Sequence, residues 1–296
     1  MRGARQDRPA SGWNVSVGSR VLRLADLVRE RTLDGAIATT SIMLYVFLLA
    51  PIVVVVLYSF NRSETGFVWT GFSTSWYVRL FHDAGMRDGI RVSFVVGITT
   101  AFISTVFGTM ASYAMARRTF RGRNAFNALV LMPLVVPEIV LAVALLVFFV
   151  RVGGSLGYFS LIAGHLLVVL PYSTLILLAA VSGIDQALEE AAADLGANSW
   201  GVFRYVILPL LIPGMATSFA LAFLFSFDDI VMSTFVSGVG TTTLPMLVYS
   251  MLRQGVSPEV NALGTLLIAA TLVVLLTTGV RQATVAMKKG GGQPFV

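Results

Sequence analysis

"LIAGHLLVVLPYSTLILLAAVSGIDQALEEAAADLGANSWGVFRYVILPLL", residues 161–211, changes character in its middle. From Leu161 to Val181 it holds no Asp, Glu, Lys or Arg. A helical run of that length is what crossing about 30 Å of hydrocarbon requires. Then Asp185, Glu189, Glu190, Asp194 and Arg204 arrive together, before a second apolar run begins. The first half assigns the chain to a membrane. The second half is a charged insertion between two spans and needs its own explanation.

Working outward, the whole chain shares the apolar character of the first half. Of 296 residues, 56% are hydrophobic and 12% charged, against about 25% charged in a soluble domain. Apolar runs of roughly 20 residues fall near 36–59, 92–115, 125–150, 157–182, 213–236 and 261–280. The expected fold is therefore an all-α polytopic bundle of six transmembrane helices over residues 36–282, flanked by a basic tail at 1–35 and a short tail at 283–296. The first run is longer than a signal-peptide apolar region and lacks a small-residue cleavage site, so it reads as a retained helix.

A net charge of +6 invites a nucleic-acid reading, but in so apolar a chain basic residues first report orientation. Six spans put both termini on one side. That side carries Arg2, Arg5, Arg8, Arg20, Arg23, Arg29 and Arg31, then Arg117, Arg118, Arg121 and Arg123, then Arg204, then Arg281, Lys288 and Lys289. The other side carries only Arg62, Arg79, Arg87, Arg91, Arg151 and Arg253. The positive-inside rule makes both termini and the charged insertion cytoplasmic.

The residue inventory argues against chemistry. Cysteine is absent, so there is no thiolate nucleophile, disulfide framework or cysteine metal site. Both lysines lie in the last nine residues, and no G-x-x-x-x-G-K-[ST] occurs to cradle ATP phosphates. His82 and His165 are far apart in sequence and lack an H-E-x-x-H setting. His165, inside a span, reads as a hydrogen-bonded packing residue, with a proton relay as the alternative. No serine has a plausible His and Asp pattern beside it. The chain is expected to be neither an enzyme nor a binder of cofactor or metal.

Across 184–209 the pattern turns amphipathic. Ser182 or Asp185 can cap a helix on which Leu188, Ala191, Ala192 and Leu195 share one face, with Glu189, Glu190 and Asp194 toward the other. Gly196 suits the left-handed residue that ends such a helix, and Ser199 can cap a second short helix that Pro209 ends. The small face at Ala187, Ala191, Ala192 and Ala193 would admit a partner's groove. An amphipathic helix lying on lipid is the alternative, and it accounts for Trp200 and Phe203 but not for the acids.

This stretch resembles the E-A-A-x-x-x-G-x9-I-x-L-P loop of permease subunits of ABC importers: Glu190, Ala191, Ala192, Gly196, Leu208 and Pro209 match, with Val206 in place of isoleucine. The resemblance extends over about 90–282. It implies a type I importer permease in a bacterial inner membrane, in which those six residues form the coupling element that docks on a dimer of ATPase subunits. A second permease subunit and a periplasmic or lipid-anchored solute-binding protein would complete the assembly, with ATP and Mg held by the ATPase and none by this chain. The outer loops 61–90, with Trp69, Trp76 and Tyr77, and 237–260 would meet the binding protein or form an interfacial belt.

Carboxylates inside hydrocarbon are the remaining signal. Glu138 follows "PLVVP" near the middle of the third run, and Asp228 and Asp229 interrupt the fifth in "LFSFDDIVMSTF". Such charges cost about 2.5–3.5 kcal/mol on insertion scales and usually face a polar cavity or a partner. The three are expected to line a cation pathway, the alternative being that an aspartate caps a helix break or that all three bond across the bundle. Phe225, Phe227 and Phe235 nearby offer cation–π contacts or simple packing. "SFDDIVMSTFVSG" and "LMPLVVPEIVLAVALLVFF" look like parts of spermidine/putrescine permeases, which implies polyamine cargo. An importer of another small solute (an organophosphonate, ferric iron or thiamine) and an ion-coupled secondary transporter stand as alternatives.

Overall fold

The computed structural model describes residues 15–64, 68–255 and 258–290, with side chains described mainly between 37 and 273. The ends of both expected tails, and parts of the loops 61–90 and 237–260, lie outside the described residues. The described chain is helical: α1 (Val15–Tyr58), α2 (Ser75–His82), α3 (Ala84–Arg117), α4 (Arg123–Leu131), α5 (Glu138–Arg151), α6 (Tyr158–Ser182), α7 (Gln186–Asp194), α8 (Ser199–Val202), α9 (Leu208–Asp228), α10 (Val231–Val236), α11 (Leu244–Gln254) and α12 (Pro258–Gly290).

Among the described residues four helical stretches are long and apolar enough to cross a membrane: Ile37–Tyr58, Ala84–Arg117, Tyr158–Ser182 and Ser199–Asp228. The third expected run, 125–150, is not one helix. Residues Arg123–Leu134 and Glu138–Arg151 meet at 103°, and counting that pair as one span makes five. Pro133 and Pro137 explain the break, since neither can donate the ladder hydrogen bond and each crowds the preceding turn. The sixth expected run lies on α12, whose described apolar part is Pro258–Val273. The fifth is also cut: α9 stops at Asp228, and α10 restarts after Asp229 and Ile230.

The chain divides into two compact units. The first holds residues 1–60 and 264–296. Its α1 presents apolar side chains such as Phe47, Leu49 and Val53 outward. An outward apolar surface of this extent belongs in lipid or against another chain.

The second unit, residues 61–263, is built on α3, α6 and α9. Small residues let the backbones approach: Gly108 of α3 faces Ser173 and Leu177 of α6, and Gly164 of α6 faces Met232, so that a methyl group at Gly164 would collide with that side chain at 2.7 Å. Ser104 and Ser173 hydroxyls meet across α3 and α6 at 3.2 Å. One cluster joins Val92 and Val96 of α3 to Ala142 of α5, Leu161 of α6, and Met232 and Val236 of α10. At the opposite end of α3 a second cluster gathers Val181, Val202, Ile207 and Leu211, with Tyr113 and Ala192 packed on it. Trp76 is buried and donates its indole N–H to the Asn61 carbonyl at 2.8 Å. It is therefore part of this unit's own packing and not of an exposed belt, whereas Trp69 is half exposed and Tyr77 half-buried.

Candidate functional site

The two interior helix breaks bring the expected pathway acids together. Pro137 is extended and leaves Glu138 as the first residue of α5, so Glu138 sits at a helix start, at the break near the middle of the third expected run. Asp228 closes α9, and Asp229 takes an extended conformation beyond it. All three carboxylates line one cavity of ≈ 580 Å³, together with Val168, Tyr172, Leu224, Phe225, Ile230 and Val231. No arginine or lysine is among these lining residues. The Tyr172 and Phe225 rings, 4.9 Å apart, form an aromatic wall. Phe227 instead packs on Phe94 and Phe223, and Phe235 on the cluster around Met232.

The acids differ in their bonding. Asp229 Oδ1 accepts from the Met232 N–H at 2.8 Å and the Ser233 N–H at 3.4 Å, capping α10. The capping role and the cavity-lining position thus coexist in one residue. Glu138 lines the same cavity. Asp228 is exposed on the cavity wall.

His165 supports this arrangement from beneath. The ring is wholly buried, and its Nδ1 lies 2.6 Å from the Ser226 hydroxyl while its Nε2 lies 3.0 Å from that of Ser233. Asp229 Oδ2 is 3.8 Å from the same Nε2. One imidazole on α6 therefore ties α9 to α10 across the break. The packing expectation for His165 holds; its partners were not visible in advance, because they come from 61 and 68 residues further along the chain.

The charged hairpin forms a separate site. Asp185 caps α7 by accepting the Ala187 N–H at 2.9 Å. Gly196 has φ +88°. Its N–H bonds the Ala193 carbonyl at 2.9 Å, and the Ala197 N–H bonds that of Ala192 at 3.1 Å, the paired bonds that close a helix through a left-handed residue. Asn198, not Ser199, caps α8 through the Gly201 N–H at 2.8 Å. Pro209 does not end that second helix. The chain passes through a π-helical stretch, Phe203–Ile207, straight into α9. The wider turn relieves the clash between the proline ring and the carbonyl one turn earlier.

Leu195 (90% exposed), Trp200 and Tyr205 project from the hairpin, as do Ala187, Glu190, Ala191 and Ala193. Of the six matched motif residues, Glu190, Ala191 and Gly196 are exposed, Ala192 is half-buried against the second cluster, and Leu208 and Pro209 begin α9. Glu189 departs from expectation. It turns toward the bundle and pairs with Arg117 at 2.7 Å.

The family model described as "Binding-protein-dependent transport system inner membrane component" matches residues 104–286. Over 234 residues the chain is 38% identical to the spermidine/putrescine transport system permease protein PotC of Haemophilus influenzae, covering 79% of this chain and 91% of that protein. Over 237 residues it is 37% identical to the putrescine transport system permease protein PotI of Escherichia coli, covering 78% and 84%. Among solved structures it resembles a bacterial ABC transporter involved in the import of the acidic polysaccharide alginate. The TM-score there is 0.65 at 17% identity, over 86% of this chain and 97% of that one. This last likeness is one of fold.

Proposed function

Since the chain belongs to the family of inner-membrane components of binding-protein-dependent transport systems, we propose that it is the subunit through which an ATP-driven importer passes polyamines such as putrescine and spermidine. The observation that carries this reading is the cavity where Glu138, Asp228 and Asp229 converge beside Tyr172 and Phe225 with no basic side chain among the lining residues. An ammonium group is drawn to carboxylates most strongly where water is scarce, and aromatic faces add attraction for the same charge. Spaced carboxylates suit a cargo that carries its positive charges on a flexible chain. The names of the PotC and PotI relatives favour the same cargo. An anionic solute would be repelled by these acids.

The chain supplies the path and not the energy. ATP and its Mg would be held by a separate ATPase dimer docked on the hairpin around Glu190, Ala191, Ala192 and Gly196. The exposed Leu195, Trp200 and Tyr205 support that docking, because large apolar side chains on a charged element mark a partner surface. A second permease subunit would complete the pathway, and a solute-binding protein would deliver cargo on the far side. ATP binding would draw the hairpins together and open the cavity outward; hydrolysis would reset it. Both termini and the hairpin would be cytoplasmic, following the arginine distribution.

The test is purification of the assembled complex with its subunits identified, followed by ATP hydrolysis in lipid vesicles with and without putrescine presented by the binding protein. Co-purification of an ATPase whose turnover rises with putrescine or spermidine is the expected result. An ATPase unresponsive to either but stimulated by another solute would overturn the cargo. Orientation is read separately: a cysteine at Ser155 should react with an impermeant thiol reagent from outside, and one at Arg121 should not. The chain's lack of cysteine leaves no background.

A further inference from the structure

Besides its continuation into α9 and the packing of Ala192 on the second cluster, the hairpin is tied to the bundle by a guanidinium whose role nothing above uses. Arg117, in the last turn of α3, has only 14% of its side chain exposed. Its Nε donates to Glu189 Oε1 at 2.7 Å, and its Nη2 donates to the carbonyls of Val181 at 3.1 Å and Ile184 at 2.5 Å. Those two carbonyls belong to the last turn of α6 and the link that follows, where a helix leaves acceptors without intrahelical donors. One side chain thus holds the end of α3, the end of α6 and the first turn of α7. The neighbouring Glu190 is exposed and accepts from Gln186 at 3.4 Å. Two adjacent acids therefore have opposite roles: Glu190 is offered outward, and Glu189 is spent on the interior.

The link between α6 and α7, residues 183–185, is short but begins with Gly183, and no interhelical side chain other than Arg117 bonds across it among the contacts described. Ala192 already rests on the apolar cluster that includes Tyr113 and Ala116 of α3, a non-directional contact; the guanidinium adds a directed tie at the first turn of α7, where the link begins, through which a push is delivered to α3. That helix runs ~37 Å from Arg117 to Val92, where Val92 and Val96 pack against Met232 of α10 and Ala142 of α5. The starts of those two helices carry Asp229 and Glu138.

We propose that Arg117 and Glu189 form a positioning latch that makes the hairpin move as one body with α3 and α6, so that motion received at the hairpin reaches the carboxylate cavity. The inference rests on the ATP-driven reading given above. Charge-assisted bonds of this kind are the strong ones, and a rigid element with a defined partner is what carries coupling between distant sites.

The experiment uses the complete complex in lipid vesicles with Glu189→Gln, Arg117→Gln and the double variant. Three quantities are read: ATPase co-purified, ATP hydrolysed without cargo, and putrescine taken up per ATP hydrolysed. Co-purification and basal hydrolysis should persist in each variant, because Glu190 and the exposed hairpin surface are unchanged. Uptake per ATP should fall by about tenfold, a typical coupling factor. The double variant should fall no further than the worse single one, since both remove the same charge pairing, glutamine at 189 keeping only a neutral acceptor. Glu189→Gln keeps the two bonds to the α6 carbonyls, so it serves if Arg117→Gln fails to reach the membrane. Unchanged uptake per ATP in Glu189→Gln, or a loss that merely tracks lost ATPase subunit, would overturn the latch. A wild-type complex lacking an ATPase or a putrescine response would instead overturn the function it rests on.

Discussion

Asp229 and Asp185 perform the same local task in two regions of the molecule, Asp185 from the cap position of α7 and Asp229 from one residue before that of α10, and face different surroundings. Each is extended, each follows the end of a long apolar helix, and each caps the helix that comes next through its Oδ1. Around Asp185 the surface is exposed, and the carboxylate has only a backbone to satisfy. Around Asp229 only 7% of the side chain is exposed, His165 lies 3.8 Å away, and Glu138 shares the cavity. The same cap is thus an ordinary surface device in the hairpin and a carboxyl group held in low dielectric in the interior. Burial, not residue type, separates a site from a stop signal.

The sharpest test of that contrast is one substitution made in both places. Asparagine caps as well as aspartate, so Asp229→Asn and Asp185→Asn each keep the helix start and remove only charge. Asp229→Asn combined with Glu138→Gln should lower putrescine uptake on the order of 5- to 150-fold, equivalent to about 1–3 kcal/mol of lost charge contact. Asp185→Asn should leave uptake within twofold, about 0.4 kcal/mol. Radiolabelled uptake normalised to membrane-embedded protein measures both. Equal effects at the two positions would erase the distinction.

The interior break is also held differently from the hairpin turn. His165 bridges α9 and α10 through Ser226 and Ser233. His165→Ala would leave two buried hydroxyls without partners and open a void, a loss on the order of 3 kcal/mol. A marked drop in the thermal midpoint of the purified protein is the expected readout. Retention of the wild-type midpoint would show that the break is maintained by backbone alone.

How far these features could be read in advance follows the same line between local and distant. The apolar runs, the Asp185 cap, the left-handed Gly196 and the prolines before Glu138 are local signals, and each appears close to where periodicity or turn chemistry put it. What failed was continuity. The α4–α5 bend and the π-helical passage into α9 both answer to a proline whose effect depends on what surrounds it: at Pro137 the chain breaks, at Pro209 it widens and goes on. The inward turn of Glu189 and the bonds of His165 were hidden because their partners are distant in sequence. Helical-wheel reasoning assigned Glu189 to the outer face, for it had no means of knowing that Arg117 would be waiting there.

The turn at Gly196 gives the next smaller effect. At φ +88° a side chain is strained, by roughly 1–2 kcal/mol for an ordinary residue and more for a β-branched one. No neighbouring atom within 4 Å would obstruct an added Cβ, so the strain is conformational and not steric crowding. Gly196→Val should reorient α8 against α7 and reduce co-purification of the ATPase subunit severalfold. Gly196→Asn, which tolerates left-handed geometry better, should restore most of it. Equal co-purification with Val and Asn would mean that the turn geometry does not govern docking.

The smallest effect is expected from removing the surface cap itself. Asp185→Ala deletes the acceptor for the Ala187 N–H, which in other helices is worth about 0.5–2 kcal/mol. Here the first turn of α7 is also pinned by Glu189 to Arg117, so fraying should stop within one turn and transport should change little. Hydrogen exchange at the amides of Ala187 and Leu188 should accelerate, while Ala192 and Ala193, beyond the latch, keep their protection. If protection is lost along the whole of α7, the cap and not the latch holds the hairpin, and the two aspartates are more alike than their surroundings indicate.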